Sequence, residues 1–254
     1  MSVRVEQPVP NVHRIVLDRP PVNALDVGSG EQLLVALDAV ERDLAVRCVI
    51  FTGAGGAFTA GADLREQQGV ALADRGAYLD GIFTVIDRID TLRVPVIAAI
   101  DGPCFGGGLE LALACDLRVA STRASFGASG VNIGLIGSVQ RLPRTLGLGR
   151  AMDMLLTGAT YDAERAERWG LITAMHAPER FEGAVLELAQ RIASRAPFSV
   201  EATKDAALRA FDMTPEQARA DQIARFVRLS ATQDHVDAVA AFAESKPTPD
   251  FQRQ

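Results

Sequence analysis

Three consecutive glycines, Gly106-Gly107-Gly108, run directly into Leu109-Glu110-Leu111. Glycine inside a helix costs about 1 kcal/mol against alanine. Three of them at a helix start point to backbone that must come close to something else. A second glycine-bearing turn, Phe58-Thr59-Ala60-Gly61-Ala62-Asp63-Leu64, likewise follows an apolar run and precedes a helix-like segment. The start of a helix carries N–H groups with no intrahelical partner, and its dipole favours negative charge. Two such turns side by side would aim two donors at one oxygen. That is an oxyanion hole built from backbone, suited to an enolate or a tetrahedral intermediate. Glycine keeps the approach open because it has no Cβ. Glu110, about one turn along, is placed to reach an adjacent carbon or a water. A plainer reading covers the same residues: such glycines let strand and helix pack closely, and a first-turn glutamate is a favourable dipole partner.

Other chemistries lack their residues. Gly53-Ala54-Gly55 starts like a dinucleotide loop, but the third glycine position is Phe58. There is no GxxxxGK[ST] phosphate loop. Ser129, in Gly127-Ala128-Ser129-Gly130-Val131, misses the GxSxG nucleophile elbow by one position. His13, His176 and His235 are far apart and have no metal-ligand spacing, so no metal site is expected. Cys48, Cys104 and Cys115 form no CxxC pair and sit in apolar runs, which fits buried thiols in a reducing compartment.

These residues need elements to hold them. Residues 12–17, 47–52, 94–100 and 117–120 read as strands, most of them continuous apolar runs suited to a sheet buried on both faces. Residues 31–44 and 75–92 carry helical apolar spacing. Strand and helix alternate as far as about residue 120, which argues an α/β fold with mainly parallel pairing. From about 140 onward the pattern is helical, with a strand at 171–176 and helices at 181–195, 200–210, 215–230 and 234–244. Thr214-Pro215-Glu216-Gln217 is a helix start, with Thr as N-cap, Pro at N1 and Gln at N3. The break between core (1–195) and helical part (196–254) falls near 195. At 48% hydrophobic residues, a large core is within reach. A net charge of -6 argues against a nucleic-acid partner, though not against a local basic pocket for a phosphorylated ligand. No stretch approaches a bilayer span and MSVRVEQPVPN has no signal-like apolar region, so a cytoplasmic protein is expected.

In order along the chain come DRPPVNAL (18–25), VIFTGAGGAFTAGADL (49–64), VPVIAAIDGPCFGGGLELALACDLRVAS (94–121) and FGASGVNIGL (126–135). QRLPRTLG (140–147) and LLTGATYDAERAERWGLI (155–172) continue the set. This ordered set resembles the crotonase superfamily, the enoyl-CoA hydratase/isomerase family. The resemblance implies a spiral of ββα units with a C-terminal helical trimerisation region that also caps the site, and a homotrimer or a hexamer built from two trimers. It implies an acyl-CoA thioester as ligand, with coenzyme A part of the substrate and no separate cofactor. The thioester oxygen would sit between the N–H groups of Ala62 and Gly107, with Glu110 as acid/base. Ala60, Gly61, Ala62, Asp63 and Leu64 would lie near the adenine of CoA. Lys246 and Phe251 match positions that contact CoA in relatives, often from a neighbouring subunit.

The sequence also departs from that family. The second glutamate of its hydratases falls at Gly130, and its GLxPGAGGTQRL pattern is shortened to GLIGSVQRL (134–142). Ser129, Asn132 or Ser138 would have to supply any further hydrogen bond to a water held by Glu110. Three functions follow: a 2-enoyl-CoA hydratase or dehydratase using Glu110; other enolate chemistry on acyl-CoA, as isomerase, decarboxylase or thioester hydrolase; or a non-catalytic acyl-CoA binder. Residues 69–78 are read as a mobile lid over the acyl pocket.

Overall fold

The computed structural model describes residues 2–254. In chain order the strands are β1 (Val3–Val9), β2 (Val12–Leu17), β3 (Cys48–Gly53), β4 (Val96–Ile100), β5 (Pro103–Phe105), β6 (Leu117–Ser121), β7 (Ser125–Gly127), β8 (Tyr161–Asp162) and β9 (Ala174–His176). The helices through the core are α1 (Val27–Arg42), α2 (Leu64–Gly69), α3 (Arg75–Asp90), α4 (Gly107–Ala114), α5 (Arg141–Leu146), α6 (Leu148–Thr157), α7 (Ala163–Trp169) and α8 (Pro178–Ala193). Three more complete the chain: α9 (Pro197–Arg209), α10 (Pro215–Ser230) and α11 (Gln233–Ala243). One sheet has the order β1-β2-β3-β4-β6-β9, parallel except for the β1–β2 hairpin. A smaller sheet, β5-β7-β8, stands beside it.

The apolar runs divide by the two-residue period of a strand. Val49 and Phe51 of β3, with Val96, Ala98 and Ile100 of β4, face the main core under α1, α3 and α4. Cys48, Ile50, Ile97 and Ala99 face the other way, against Phe181, Val185 and Ala189 of α8. Both faces are covered, so these strands carry no polar alternation. Burial pushes the Cys48 and Cys115 thiols up to about 12, and Cys104 is pushed up as well. None of the three is a thiolate nucleophile at neutral pH.

The helical part begins where Pro197 starts α9. That helix is fixed to the core by Lys204, whose Nζ donates to Asp116 Oδ2 at 2.8 Å and to the Val94 carbonyl at 3.1 Å. Thr214 Oγ1 accepts from the Gln217 N–H to cap α10, and the Thr214 N–H donates in return to Gln217 Oε1, as the TPEQ spacing predicts. The chain end returns to the core. Arg47 Nη2 donates to the Phe251 carbonyl at 2.6 Å, and Asp234 accepts from the N–H groups of Gln252 and Arg253. Phe226, Val227 and Phe242, by contrast, are exposed on α10 and α11. No described helix is long and apolar enough to cross a membrane.

Candidate active site

Both glycine turns hang from the C-terminal edge of the parallel sheet. β3 ends at Gly53, and the chain then runs beside β5: Phe58 N–H donates to the Pro103 carbonyl and Phe105 N–H to the Thr59 carbonyl. Phe58 is fully buried edge-on to Phe51, with ring centroids 5.8 Å apart, and anchors the loop. The 18–25 segment holds its other side. Asn23 Nδ2 donates to the carbonyls of Ala54 and Ala57, and Leu25 pairs with the stretch around Ala62. In that pairing Leu25 N–H reaches the Gly61 carbonyl and Asp63 N–H reaches the Leu25 carbonyl. Successive residues of an extended chain point their polar groups to opposite sides. The Ala62 N–H is therefore turned away from Leu25.

The Ala62 nitrogen lies close to Gly107. A Cβ built on Gly107 would stand 3.2 Å from the Ala62 nitrogen. Neither the Ala62 nor the Gly107 N–H donates to any protein acceptor among the described residues. The three glycines have three separate causes. Gly106 takes φ +52° to turn the chain from β5 into α4. Gly107 meets the other turn. Gly108 packs so close to Thr59 that a Cβ would lie 2.2 Å from its carbonyl oxygen.

Glu110 follows Gly107 by three residues on α4, so the two share a helix face. The side chain is buried, the residue being only 6% exposed. Its Oε1 accepts from Arg141 Nη1 at 3.1 Å, and its Oε2 has no partner. An unsatisfied buried carboxylate oxygen costs about 1–3 kcal/mol or more, and such an atom calls for a reason. Oε2 stands on the helix face that also carries the unpaired Gly107 N–H.

The remaining expected residues sort clearly. Asp63 is occupied. It caps α2 through the N–H groups of Arg65 and Glu66, and its Oδ2 accepts from Arg19 Nη2 at 2.7 Å. Ala60 N–H donates to the Val22 carbonyl, Gly61 precedes Ala62, and Leu64 opens α2. Phe251 is buried beside Arg47, just ahead of β3, whereas the donors follow its other end. Strand length puts about 17 Å between those two ends. Lys246 is exposed and paired with Glu244. One chain thus gathers Ala62, Gly107 and Glu110, and does not bring Phe251 to them. Asn132 is tied to the Gly158 carbonyl at the end of α6. Ser138 is buried with φ +58°. Ser129 Oγ lies 3.6 Å from where a Cβ on Gly106 would stand, beside the glycine turn. Residues 69–78 form the end of α2, a short 3-10 turn and the start of α3.

Arg19 also carries a prediction. Its hydrogen bond holds the Asp63 carboxyl below the usual range. Burial opposes the same effect at Asp26, but bonds from Ser29 and the charge of Arg19 hold that carboxyl low too. Carboxylates lowered in the folded state add stability above their ordinary pKa of 3.8, which is lost as pH falls through 3.8 and below. The urea midpoint is therefore expected to drop steeply on acidification past that point. The drop should be shallower in Arg19→Met; equal slopes would remove Arg19 from this role.

Gly130 is hemmed in. Leu135 N–H donates back to its carbonyl at 2.9 Å, closing the 3-10 turn of Ser129–Ile133 on itself. A Cβ on Gly130 would stand 3.0 Å from the Leu135 carbonyl oxygen and 3.1 Å from the Ile136 carbonyl carbon. The backbone of residues 135–137 fills the room that a side chain would need. A cleft of about 840 Å³ opens elsewhere, between α9, α10 and the end of α3. Its lining does not include the donors or Glu110, and it holds paired charges such as Arg144–Asp212 and Arg225–Asp205.

The family model for enoyl-CoA hydratase/isomerase matches residues 9–254. The chain belongs to the enoyl-CoA hydratase/isomerase family. Within it, the chain is 37% identical over 236 residues to a probable enoyl-CoA hydratase of Rhizobium meliloti, covering 91% of each chain. It is 33% identical to the short-chain-enoyl-CoA hydratase of Clostridium acetobutylicum, covering 94% of each. The fold superposes on the crystal structure of enoyl-CoA hydratase from Bacillus anthracis with a TM-score of 0.96, at 32% identity and full coverage of both chains. The crotonase fold expected from the motifs is therefore the fold observed, and the protein is an enzyme of the enoyl-CoA hydratase/isomerase family.

Arg141 escaped the sequence reading. It stands in the quoted QRLPRTLG segment, but nothing in a separation of 31 residues links it to Glu110. Arg19 and Asn23 escaped it too, because their partners are loop carbonyls and a distant aspartate.

Proposed function

We propose that the protein hydrates a 2-enoyl-CoA thioester, or dehydrates the product, with Glu110 as its single carboxylate. The observation that carries this reading is the partnerless Glu110 Oε2 on the same helix face as the unpaired Gly107 N–H. The thioester oxygen accepts from the Ala62 and Gly107 N–H groups, which draws electron density from C3. Water adds its oxygen to C3 while Oε2 takes one of its protons. The electron pair of the C2–C3 double bond moves onto the thioester as an enolate, held by the two donors. Glu110 then returns the proton to C2, and the thioester carbonyl reforms. Coenzyme A enters with the substrate, and no other cofactor is called for. The names of the hydratase relatives support this reading.

Gly130 favours a second reading. Without a second acid, other enolate chemistry on acyl-CoA (isomerisation, decarboxylation or thioester hydrolysis) needs less of the site than hydration does. Crotonyl-CoA hydration, followed by loss of the enoyl absorbance, tests the first reading. Turnover supports it. No turnover, with tight CoA-thioester binding by calorimetry, rejects it in favour of the second reading or of a non-catalytic binder. Gly130→Glu is expected to add no hydration and to destabilise the fold by about 1–3 kcal/mol through overpacking. A melting curve and the same assay check this, and a gain in hydration would show that the 135–137 backbone yields.

The exposed apolar side chains of α10 and α11 support self-association, as a homotrimer or a hexamer. In such an assembly Lys246 and Phe251 would meet the CoA of a neighbouring copy. Sedimentation velocity distinguishes the two states.

A further inference from the structure

Arg141 opens α5 and its side chain is only 12% exposed. Three carboxylates from two helices converge on it. Nη1 donates to Glu110 Oε1 at 3.1 Å, and Nη2 donates to Asp87 Oδ1 at 2.7 Å and to Asp90 Oδ2 at 3.2 Å. Asp87 and Asp90 are three apart on the last turns of α3 and so present one face. Burial works against the charge on Arg141. Its bonds to Asp87 and Glu110, with Asp90 nearby, outweigh that and raise its pKa above the usual value.

The form of the contact matters more than its presence. Arginine commonly grips a carboxylate with two parallel bonds. That grip would occupy both oxygens of Glu110 and leave none for chemistry. Here Asp87 and Asp90 engage Nη2, so the fork meets Glu110 through Nη1 alone. One oxygen is fixed and the other, also buried, has no protein partner. A lysine has no planar fork with which to divide itself this way.

We propose that Arg141 is the positioning residue of this site: held by Asp87 and Asp90, it fixes Glu110 through Oε1 only and leaves Oε2 as the one reactive oxygen. The proposal rests on the reading of Glu110 as acid/base. A carboxylate released from this grip still lies near the substrate but loses its aim, and misplacement of about 1 Å costs on the order of 10²-fold.

The test measures kcat and KM for crotonyl-CoA hydration in wild type, Glu110→Gln, Arg141→Met, Arg141→Lys and Arg141→Ala. Calorimetric titration with a CoA thioester gives the fraction of folded sites in each. Arg141→Met is expected to lower kcat per folded site by about ten- to hundredfold, with KM within twofold of wild type. Added guanidinium is expected to restore part of the kcat of Arg141→Ala and none in Glu110→Gln. If Arg141→Met does not fold, Arg141→Lys reads the same split between kcat and KM. A folded Arg141 variant with wild-type kcat, or one whose loss lies in KM alone, overturns the positioning role and leaves the reading of Glu110 standing. A silent wild type, or an active Glu110→Gln, overturns that reading and this proposal with it.

Discussion

Glu110→Gln is expected to lower turnover by about 10²–10⁴-fold, the usual share of one positioned acid/base, with CoA-thioester affinity unchanged. The substitution keeps size and the bond-accepting Oε1, so Arg141 still has a partner at that position. What it removes is the proton-accepting oxygen at Oε2. The carboxylates nearest to it in the ion-pair network and the turns are already engaged. Asp87 and Asp90 are turned to Arg141, Asp63 is occupied by Arg19 and its helix cap, and residue 130 is a glycine. Turnover within tenfold of wild type would mean that another group does the proton transfer. Weakened thioester binding with unchanged kcat would make Glu110 a binding residue instead. The comparison is sharpest at saturating substrate, where only loss in the chemical step is seen.

Gly61→Ala is expected to be nearly as severe, through geometry rather than charge. Gly61 has φ +92°, which an L side chain rarely adopts. The new Cβ would stand 2.5 Å from the Gly107 nitrogen and 3.0 Å from the Gly107 Cα and the Phe105 carbonyl oxygen. All three are backbone, so the two turns must part. A donor lost from an oxyanion hole costs about 10²–10³ in kcat. Gly107→Ala places its Cβ 3.2 Å from the Ala62 nitrogen, a milder intrusion. The expected order of kcat is therefore wild type, then Gly107→Ala, then Gly61→Ala, with Glu110 intact in all three. Equal activity in both alanine variants would show that the turns slip past each other without moving the donors. Melting curves separate this loss from unfolding.

Much of this fold is legible in the sequence. VHRIVL at 12–17 forms a strand with the expected ends, and the 215–230 helix starts at the Thr214 cap. Those segments announce themselves through local chemistry: a short apolar run, and a cap with proline behind it. The first strand, Val3–Val9, went unread because its faces are mostly exposed and Gln7 and Pro8 interrupt its alternation. β5, β7 and β8 are two or three residues long and exist only through their pairing. The two glycine turns and Glu110 stand out because glycine and a first-turn carboxylate carry local meaning, whereas the pairing of Ala62 with Gly107 comes from the family resemblance. Arg141, Arg19 and the packing around Gly130 depend on contacts between distant segments, which periodicity cannot carry.

Because both N–H groups are main-chain amides, no side chain at position 62 short of proline deletes one, whereas at Gly107 any side chain brings in a Cβ. Glu110 is different: a single codon change takes its carboxylate away. One substitution can thus remove the carboxylate, and one methyl group at position 61 can part the turns, but the amide of residue 62 outlasts every replacement except proline. The backbone of the two turns and the side chain of Glu110 therefore differ in kind: the first is altered by shape, the second by identity.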